Sequence, residues 1–455
     1  MTQTIAAAAT PGVPSAIGIL RLSGPRAREI ASAVFVPMGG GRLEEKPARR
    51  LIYGTLKDKH GTAIDQVLAT WSPGPNSYTG EDTAELQCHG SPAVLALGLE
   101  ALFAHGARQA LPGEFTRRAF LNGRMDLAQA EAVIDLIDAE TAESARNAYG
   151  QLNGALSRRV DAIYDGLTDV MAHFHAVLDY PDEDIDPFTE ATVRDALTQA
   201  LERLDALLAT YDRGSLLAEG VPCAIVGRPN VGKSSLLNAL LGYDRAIVTN
   251  IPGTTRDTLE ERLRLGNVLL RLVDTAGMRD TEDAVERMGV DRSRMALERS
   301  RLALLVLDGA QPLNEQDEQA MAAAQTAPNL ICVVNKSDLA LAVDMAQLRR
   351  RFDKVCLISA ATGDGLRQLE DMIAACFPAG SDEAGSLLTN ARQAEAANRA
   401  RASVISALEG LDLGITPDAL LTDAEQAMTA LGELTGRSVR EDITNRIFSR
   451  FCVGK

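Results

Sequence analysis

Gly227-Arg-Pro-Asn-Val-Gly-Lys-Ser234 lies between the apolar run Cys223–Val226 and the helix-like run Ser235–Leu241. A strand, a loop of G-x-x-x-x-G-K-S form and a helix start, in that order, make a phosphate cradle. The glycines let successive backbone N–H groups curl round an anion, and the helix N-terminus adds its dipole. In such a cradle Lys233 reaches the terminal phosphates and Ser234 ligates Mg²⁺, so the reading puts Asn230, Val231, Gly232, Lys233, Ser234 and Ser235 at a bound nucleotide.

The runs Leu269–Val273, Leu302–Leu307, Leu330–Val334 and Val355–Ile358 are nearly continuous in apolar residues and alternate with helical stretches. Strands covered on both faces read this way, and the pattern predicts a doubly wound, mostly parallel sheet. Asn335-Lys336-Ser337-Asp338 follows one of these runs, and Ser359-Ala360 follows the next. The Asp338 carboxylate can accept from both N1–H and the exocyclic amine of guanine, whereas adenine has no N1 proton, so GTP is favoured over ATP. Ser359 and Ala360 stand where a backbone N–H can meet the guanine carbonyl.

Asp274-Thr275-Ala276-Gly277 ends the run Leu269–Val273: Asp274 reads as holding Mg²⁺ through water, and Gly277 as meeting the γ-phosphate. Gly253–Asp257 reads as a switch loop whose Thr255 closes on the metal when the γ-phosphate is present. Ras-like enzymes place a water-orienting glutamine just after this motif, but Met278 stands here. Glu286, in the charged segment 279–287, is a candidate for that task; the alternative is one solvated charge among several.

A chain of 455 residues suggests about three domains. With 46% hydrophobic and 24% charged residues it reads as globular, and no run approaches the roughly 18 apolar residues of a membrane span. The start MTQTIAAAATPGVPSAIGIL lacks a basic n-region, so no export signal is expected. Six scattered cysteines without CxxC pairs suggest neither a zinc site nor a disulfide framework and fit a reducing cytoplasm. A net charge of −16 argues against broad nucleic-acid binding by counterion release, leaving RNA to a local basic patch or a partner.

Residues 1–120 carry short β-type runs (Ala16–Leu22, Leu51–Leu56, Gln66–Trp71, Ala84–Cys88) and read as a small α/β domain. Residues 121–218 and 379–455 read as two parts of a helical domain, with Asp179–Pro187 interrupting the first and the Gly/Ser/acidic linker Ala379–Ser386 opening the second before helical periodicity resumes at Leu387, and 219–378 carry the nucleotide motifs. The simplest architecture is a G domain inserted into a helical domain. Cys452, near Arg450 and Lys455, is open to two readings, a reactive thiolate or a buried small hydrophobe. His173 and His175 read as structural.

The chain resembles the MnmE (TrmE) family of tRNA-modification GTPases, within the Era/TrmE-like group, over nearly its entire length. The markers are Ile19–Gly24, Pro73–Asp82, Leu111–Asn122, Met125–Glu131, Gly253–Asp257 and the terminal Phe451-Cys-Val-Gly-Lys455. The resemblance implies an N-terminal domain that dimerises and binds a tetrahydrofolate one-carbon derivative, 5-formyl or 5,10-methylene. The family's folate residues fall on Arg21, Glu85, Arg124 and Lys455; some members have lysine at the third position, so donor geometry differs there. It implies K⁺ near Asn230, with Thr249, Ile251 and Thr254 as oxygen ligands, and places the catalytic glutamate on Glu286.

It further implies a homodimer that forms a heterotetramer with an FAD-containing MnmG (GidA) partner. Together they install a carboxymethylaminomethyl-type group on C5 of the wobble uridine of certain tRNAs. Cys452 is then a candidate in the one-carbon chemistry. Two competing readings are an Era/EngA-like ribosome-assembly GTPase and a nucleotide-gated scaffold that does not turn over. The first is disfavoured by the lack of an evident GXXG loop in a basic setting.

Overall fold

The computed structural model describes residues 3–179, 190–244, 262–273, 295–378, 380, 383–414, 417–437, 444, 447–449 and 451–454. The chain divides into two compact units: residues 1–134, 151–201 and 399–455 form one, and residues 135–150 and 202–398 the other. Stretches near 135–150 and 202–218, expected with the helical domain, are thus grouped with the nucleotide motifs.

Among the described residues, the first unit holds seven strands: β1 (Ile5–Ala8), β2 (Ser15–Ser23), β3 (Phe35–Pro37), β4 (Ile52–Lys57), β5 (Ala63–Ser72), β6 (Thr83–Gly90) and β7 (Arg108–Gln109). Their order is β3-β4-β5-β6-β2-β1-β7, antiparallel except for the β1–β7 pair. Alternation sets the buried face: Ala84, Leu86 and Cys88 on β6 and Leu20 and Leu22 on β2 point into a core with Leu95 and Leu102 of helix Pro92–Ala104 and Ile30 of helix Ala27–Val34. The four β-type runs read from the sequence are strands. The alanine run at 6–9 concealed a fifth, because alanine has weak strand preference. Ile5, Ala6 and Ala7 are nonetheless completely buried, where small side chains suit a strand paired on both edges. In the same unit helix Ala155–Asp179 packs on Pro417–Thr435, and Arg437 reaches back to Asp161 at 2.9 Å.

The second unit is built on β8 (Val221–Val226), β9 (Arg262–Leu265), β10 (Val268–Leu272), β11 (Leu302–Asp308), β12 (Leu330–Asn335) and β13 (Val355–Leu357), in the order β13-β12-β11-β8-β10-β9. All neighbouring pairs are parallel except β9–β10. The all-buried β11 shows why its sequence reads as one apolar run. Leu304, Val306 and Val333 face Leu236, Leu240 and Leu369 on one side; Leu305, Leu307 and Val334 face Met321 and Leu348 on the other. The doubly wound sheet is therefore present. The antiparallel edge strand β9 was not read: its four residues, Arg-Leu-Arg-Leu, are too few for a period, although the Gly266-Asn267 turn between paired Leu265 and Val268 is a hairpin signal.

Candidate functional site

The loop 227–232 leaves the C-terminal end of β8, which lies between β11 and β10, and runs into helix Lys233–Asp244. Two glycines are required by space as well as by backbone angle. A Cβ on Gly227 (φ +151°) would stand 2.3 Å from the Val306 carbonyl oxygen, and one on Gly232 (φ +95°) 2.3 Å from Asn335 Nδ2. Asn230 adopts φ +63°, which asparagine tolerates better than most residues. Lys233 Nζ donates to the carbonyl oxygens of Gly227 (2.7 Å) and Arg228 (2.8 Å), and burial lowers its pKa below the usual lysine value. Val231 is buried, while Ser234 and Ser235 are exposed in the first helical turn.

The ends of β11, β12 and β13 converge on this loop. Buried Asn335 donates through Nδ2 to the Val231 carbonyl (2.9 Å) and accepts at Oδ1 from Ala360 N–H (3.0 Å). Lys336, at φ +66°, donates to Asp308 Oδ2 (2.7 Å) and to the Asn230 carbonyl (3.2 Å). Burial alone would raise the Asp308 pKa, but the Lys336 hydrogen bond and charge, the Ala310 N–H and the Arg228 charge bring it below the usual carboxylate value. Fully buried Ser359 donates through Oγ to Asp338 Oδ1 at 2.6 Å, leaving Asp338 exposed at the rim. The residues expected at phosphate and base are thus together at the C-terminal edge of one sheet, where open α/β sheets bind ligands.

Thr249, Ile251, Thr254, Thr255, Asp274, Thr275, Ala276, Gly277, Met278 and Glu286 lie outside the described residues, as does Lys455. The side chains of His173 and His175 lie outside them too.

In the first unit, Arg21 and Glu85 are register partners on β2 and β6, paired at 2.7 Å. Arg21 Nη1 also donates to the Gly454 carbonyl (3.3 Å), and its guanidinium carbon lies 5.9 Å from the Phe115 ring centroid. Arg124 is exposed and packs against Gly80, whose added Cβ would sit 3.3 Å from Arg124 Cγ. The tail is anchored by buried Phe448 and Phe451, by Gly113 N–H donating to the Cys452 carbonyl (3.3 Å) and by a bridge between Pro112 and Val453. Cys452 itself is exposed, which excludes the reading as a buried small hydrophobe. Burial instead raises the thiol pKa of Cys88 and Cys332 to about 12 and of Cys356 to about 11, so those three are poor nucleophiles.

Several residues of these sites were missed. Tyr78, itself exposed, shares a hydrogen bond with Thr116 (3.0 Å). Arg118 binds Glu81 (2.8 Å) and Glu114 (2.9 Å), pinning the 73–82 loop to helix Glu114–Leu121. Near the nucleotide motifs, Arg228, Asp308 and Asp317 carried one faint signal, the Asn314-x-x-Asp317 spacing of a capping box.

A parallel sheet with a glycine-lysine phosphate loop, an asparagine staple and a serine-oriented aspartate at one edge defines the guanine-nucleotide class of P-loop proteins. The model of the MnmE helical domain matches residues 127–452, and that of the GTP-binding protein TrmE N-terminus matches residues 4–124. The tRNA modification GTPase MnmE of Roseiflexus sp. (strain RS-1) is 45% identical over 100% of this chain and 99% of its own. Those of Heliobacterium modesticaldum and Geobacillus kaustophilus are 44% and 42% identical, with the same coverage. The chain belongs to the MnmE family of tRNA modification GTPases.

Proposed function

We propose that this chain hydrolyses GTP as a homodimer and, with an FAD-containing MnmG partner in a heterotetramer, adds a carboxymethylaminomethyl-type group to C5 of the wobble uridine of certain tRNAs. The observation that carries the GTP reading is the convergence of Lys233, Asn335, Asp338 and Ser359 at one sheet edge. Asp338 reads the guanine edge with Ser359 holding it, Ser359 and Ala360 flank the base with the Ala360 N–H engaged by Asn335 Oδ1, and the loop 227–232 wraps the phosphates. Ser234 and Thr255 hold Mg²⁺; the exposed hydroxyl of Ser234 in the first helical turn fits that part.

K⁺ sits near Asn230, Thr249, Ile251 and Thr254, supplying positive charge where charge develops in the transition state. Exposed Asn230, with its carbonyl already engaged by Lys336, is compatible with a cation on its side-chain amide. Glu286 orients the attacking water in place of a glutamine at Met278. Hydrolysis drives G-domain dimerisation and cycling, with the G domain at 219–378, helical parts at 121–218 and 379–455, and a folate-binding, dimerising domain at 1–120.

The Arg21–Glu85 pair offers a donor and an acceptor side by side, the complement of a pterin edge, and Arg21 also bonds the carbonyl of Gly454, the residue before Lys455 in sequence. A bound folate would supply the one-carbon unit, while Arg21, Glu85, Arg124 and Lys455 hold it, whether formyl or methylene. Exposed Cys452 stands on the same tail.

Turnover tests the nucleotide part. GTP hydrolysis should be markedly faster in K⁺ than in Na⁺ at matched ionic strength, and Glu286→Ala should lower kcat with nucleotide affinity kept. Equal rates in the two salts would reject the K⁺ assignment, and no turnover in either would leave a nucleotide-gated scaffold.

A further inference from the structure

Arg228, the residue after the first glycine of the phosphate loop, reaches Asp317 and Gln311 with its side chain. Its Nε lies 3.0 and 3.1 Å from the two carboxylate oxygens of Asp317, and its Nη2 donates to Gln311 Oε1 at 2.9 Å. The pair is well shielded, with side chains 12% and 2% exposed. Asp317 is held in turn: it is the third residue of helix Glu315–Ala324, accepting from Asn314 N–H (3.0 Å) while its own N–H donates to Asn314 Oδ1 (3.0 Å). One end of the pair is therefore fixed by a helix cap, and the other is the phosphate loop.

The carbonyl of the same Arg228 accepts from Lys233 Nζ at 2.8 Å. The far side of the loop is tied by Asn335 to Val231 and by Lys336 to Asn230. Without the Arg228 side chain, the hydrogen bonds that hold the stretch from Gly227 to Asn230 among the described residues come from Lys233 and Lys336, and Lys233 must leave the Gly227 and Arg228 carbonyls to reach a phosphate. We infer that Arg228, clamped by Asp317 and Gln311, is a positioning residue that holds the phosphate loop in its binding shape, so that nucleotide affinity depends on a side chain that touches no nucleotide.

This rests on the GTP-binding reading above. A loop that cradles phosphates in both ground and transition states contributes uniform binding, so loosening it raises KM and Kd with little change in kcat. A purely structural pair would act differently: its loss would lower thermal stability and the active fraction, and affinity per folded molecule would stay put. The planar fork also discriminates, since lysine keeps the charge but cannot hold Asp317 and Gln311 from two rigidly spaced nitrogens as Nε and Nη2 do.

The experiment measures fluorescent GDP binding, steady-state GTPase kinetics and thermal melts on the full chain. The proteins are wild type, Arg228→Gln, Arg228→Lys, Asp317→Asn, the Arg228→Gln/Asp317→Asn double variant and Lys233→Ala. Expected results are Kd and KM raised about tenfold or more in Arg228→Gln and Asp317→Asn, with kcat within about twofold, and a smaller rise in Arg228→Lys. The double variant should be no weaker than the weaker single one, the signature of one shared interaction. Should Arg228→Gln fail to fold, Arg228→Lys decides by the same criterion. Unchanged Kd and KM, a loss confined to kcat, or additive effects would overturn the inference. Wild type and Lys233→Ala binding GDP equally would instead overturn the GTP-binding reading.

Discussion

The hydroxyl of Ser359 donates to the carboxylate of Asp338 at 2.6 Å, and Ser359 is completely buried while Asp338 stands exposed at the rim. A carboxylate held by a fixed donor presents its remaining lone pairs in one direction. The guanine edge, with two donors side by side, is the complement of that arrangement.

Asp338→Asn should therefore weaken GTP binding by at least about a hundredfold and admit xanthosine triphosphate, whose C2 oxygen suits an amide donor. Ser359→Ala should cost about tenfold, the worth of one hydrogen bond to a charged group. Competition binding with the two triphosphates reads both. Unchanged GTP affinity in Asp338→Asn would remove the base assignment.

Gly232→Ala should abolish nucleotide binding, because the new methyl would stand 2.3 Å from Asn335 Nδ2 at a backbone angle of φ +95°. Asn335 also holds Ala360 N–H, so the collision disturbs the base side as well as the phosphate side. Gly242→Ala, with nothing within 4 Å of the added carbon, is the control and should bind normally. Titration of the two proteins with GDP, after circular dichroism shows both folded, gives the comparison. Equal affinities would contradict the packing argument.

Glu114 supplies a pH-dependent contribution to the first unit. Burial opposes its ionisation, but Arg108, Leu111 N–H and Arg118 outweigh that and hold its pKa at about 2, below the ordinary 4.5. A carboxyl depressed by folding stabilises the protein above its unfolded pKa and loses that contribution as pH falls through its folded one. Glu114→Gln should be less stable than wild type at neutral pH, and the gap in urea midpoint should close as pH drops from about 4.5 towards about 2. A gap independent of pH would show that the ionised carboxylate is not the stabilising species.

Much of this was legible in the sequence because burial on both faces leaves a mark. The strands β8, β11 and β12 are near-continuous apolar runs, and β8 and β12 lead directly into chemically unmistakable residues, Gly227 and Asn335. The strand β1 left no such mark, since three alanines fill their places by being small. Nor did the Arg228–Asp317 clamp, whose partners are 89 residues apart, so that each alone reads as an ordinary surface charge. The meeting of Arg21, Glu85 and Gly454 spans more than four hundred residues of chain; only family resemblance grouped Arg21 and Glu85 with the C-terminal residue Lys455, and it did not single out Gly454.

Cys452→Ser should leave GTP turnover intact while wobble-uridine modification is lost. The thiol is exposed on a tail bonded to Gly113 and bridged through Val453 to Pro112, in the first unit. Serine keeps size and polarity close while removing the stronger nucleophile. Fully modified tRNA in cells carrying only the serine variant would make the thiol dispensable.

Mass spectrometry of tRNA nucleosides from cells that lack this protein, complemented with wild type or with Lys233→Ala, tests most directly whether GTP hydrolysis by this chain serves tRNA modification. Wild type should restore the C5-modified wobble uridine to its normal level, and both the uncomplemented and the Lys233→Ala cells should contain the unmodified or partly built nucleoside. Equal amounts of modified wobble uridine in all three would contradict a role for GTP hydrolysis by this chain in tRNA modification.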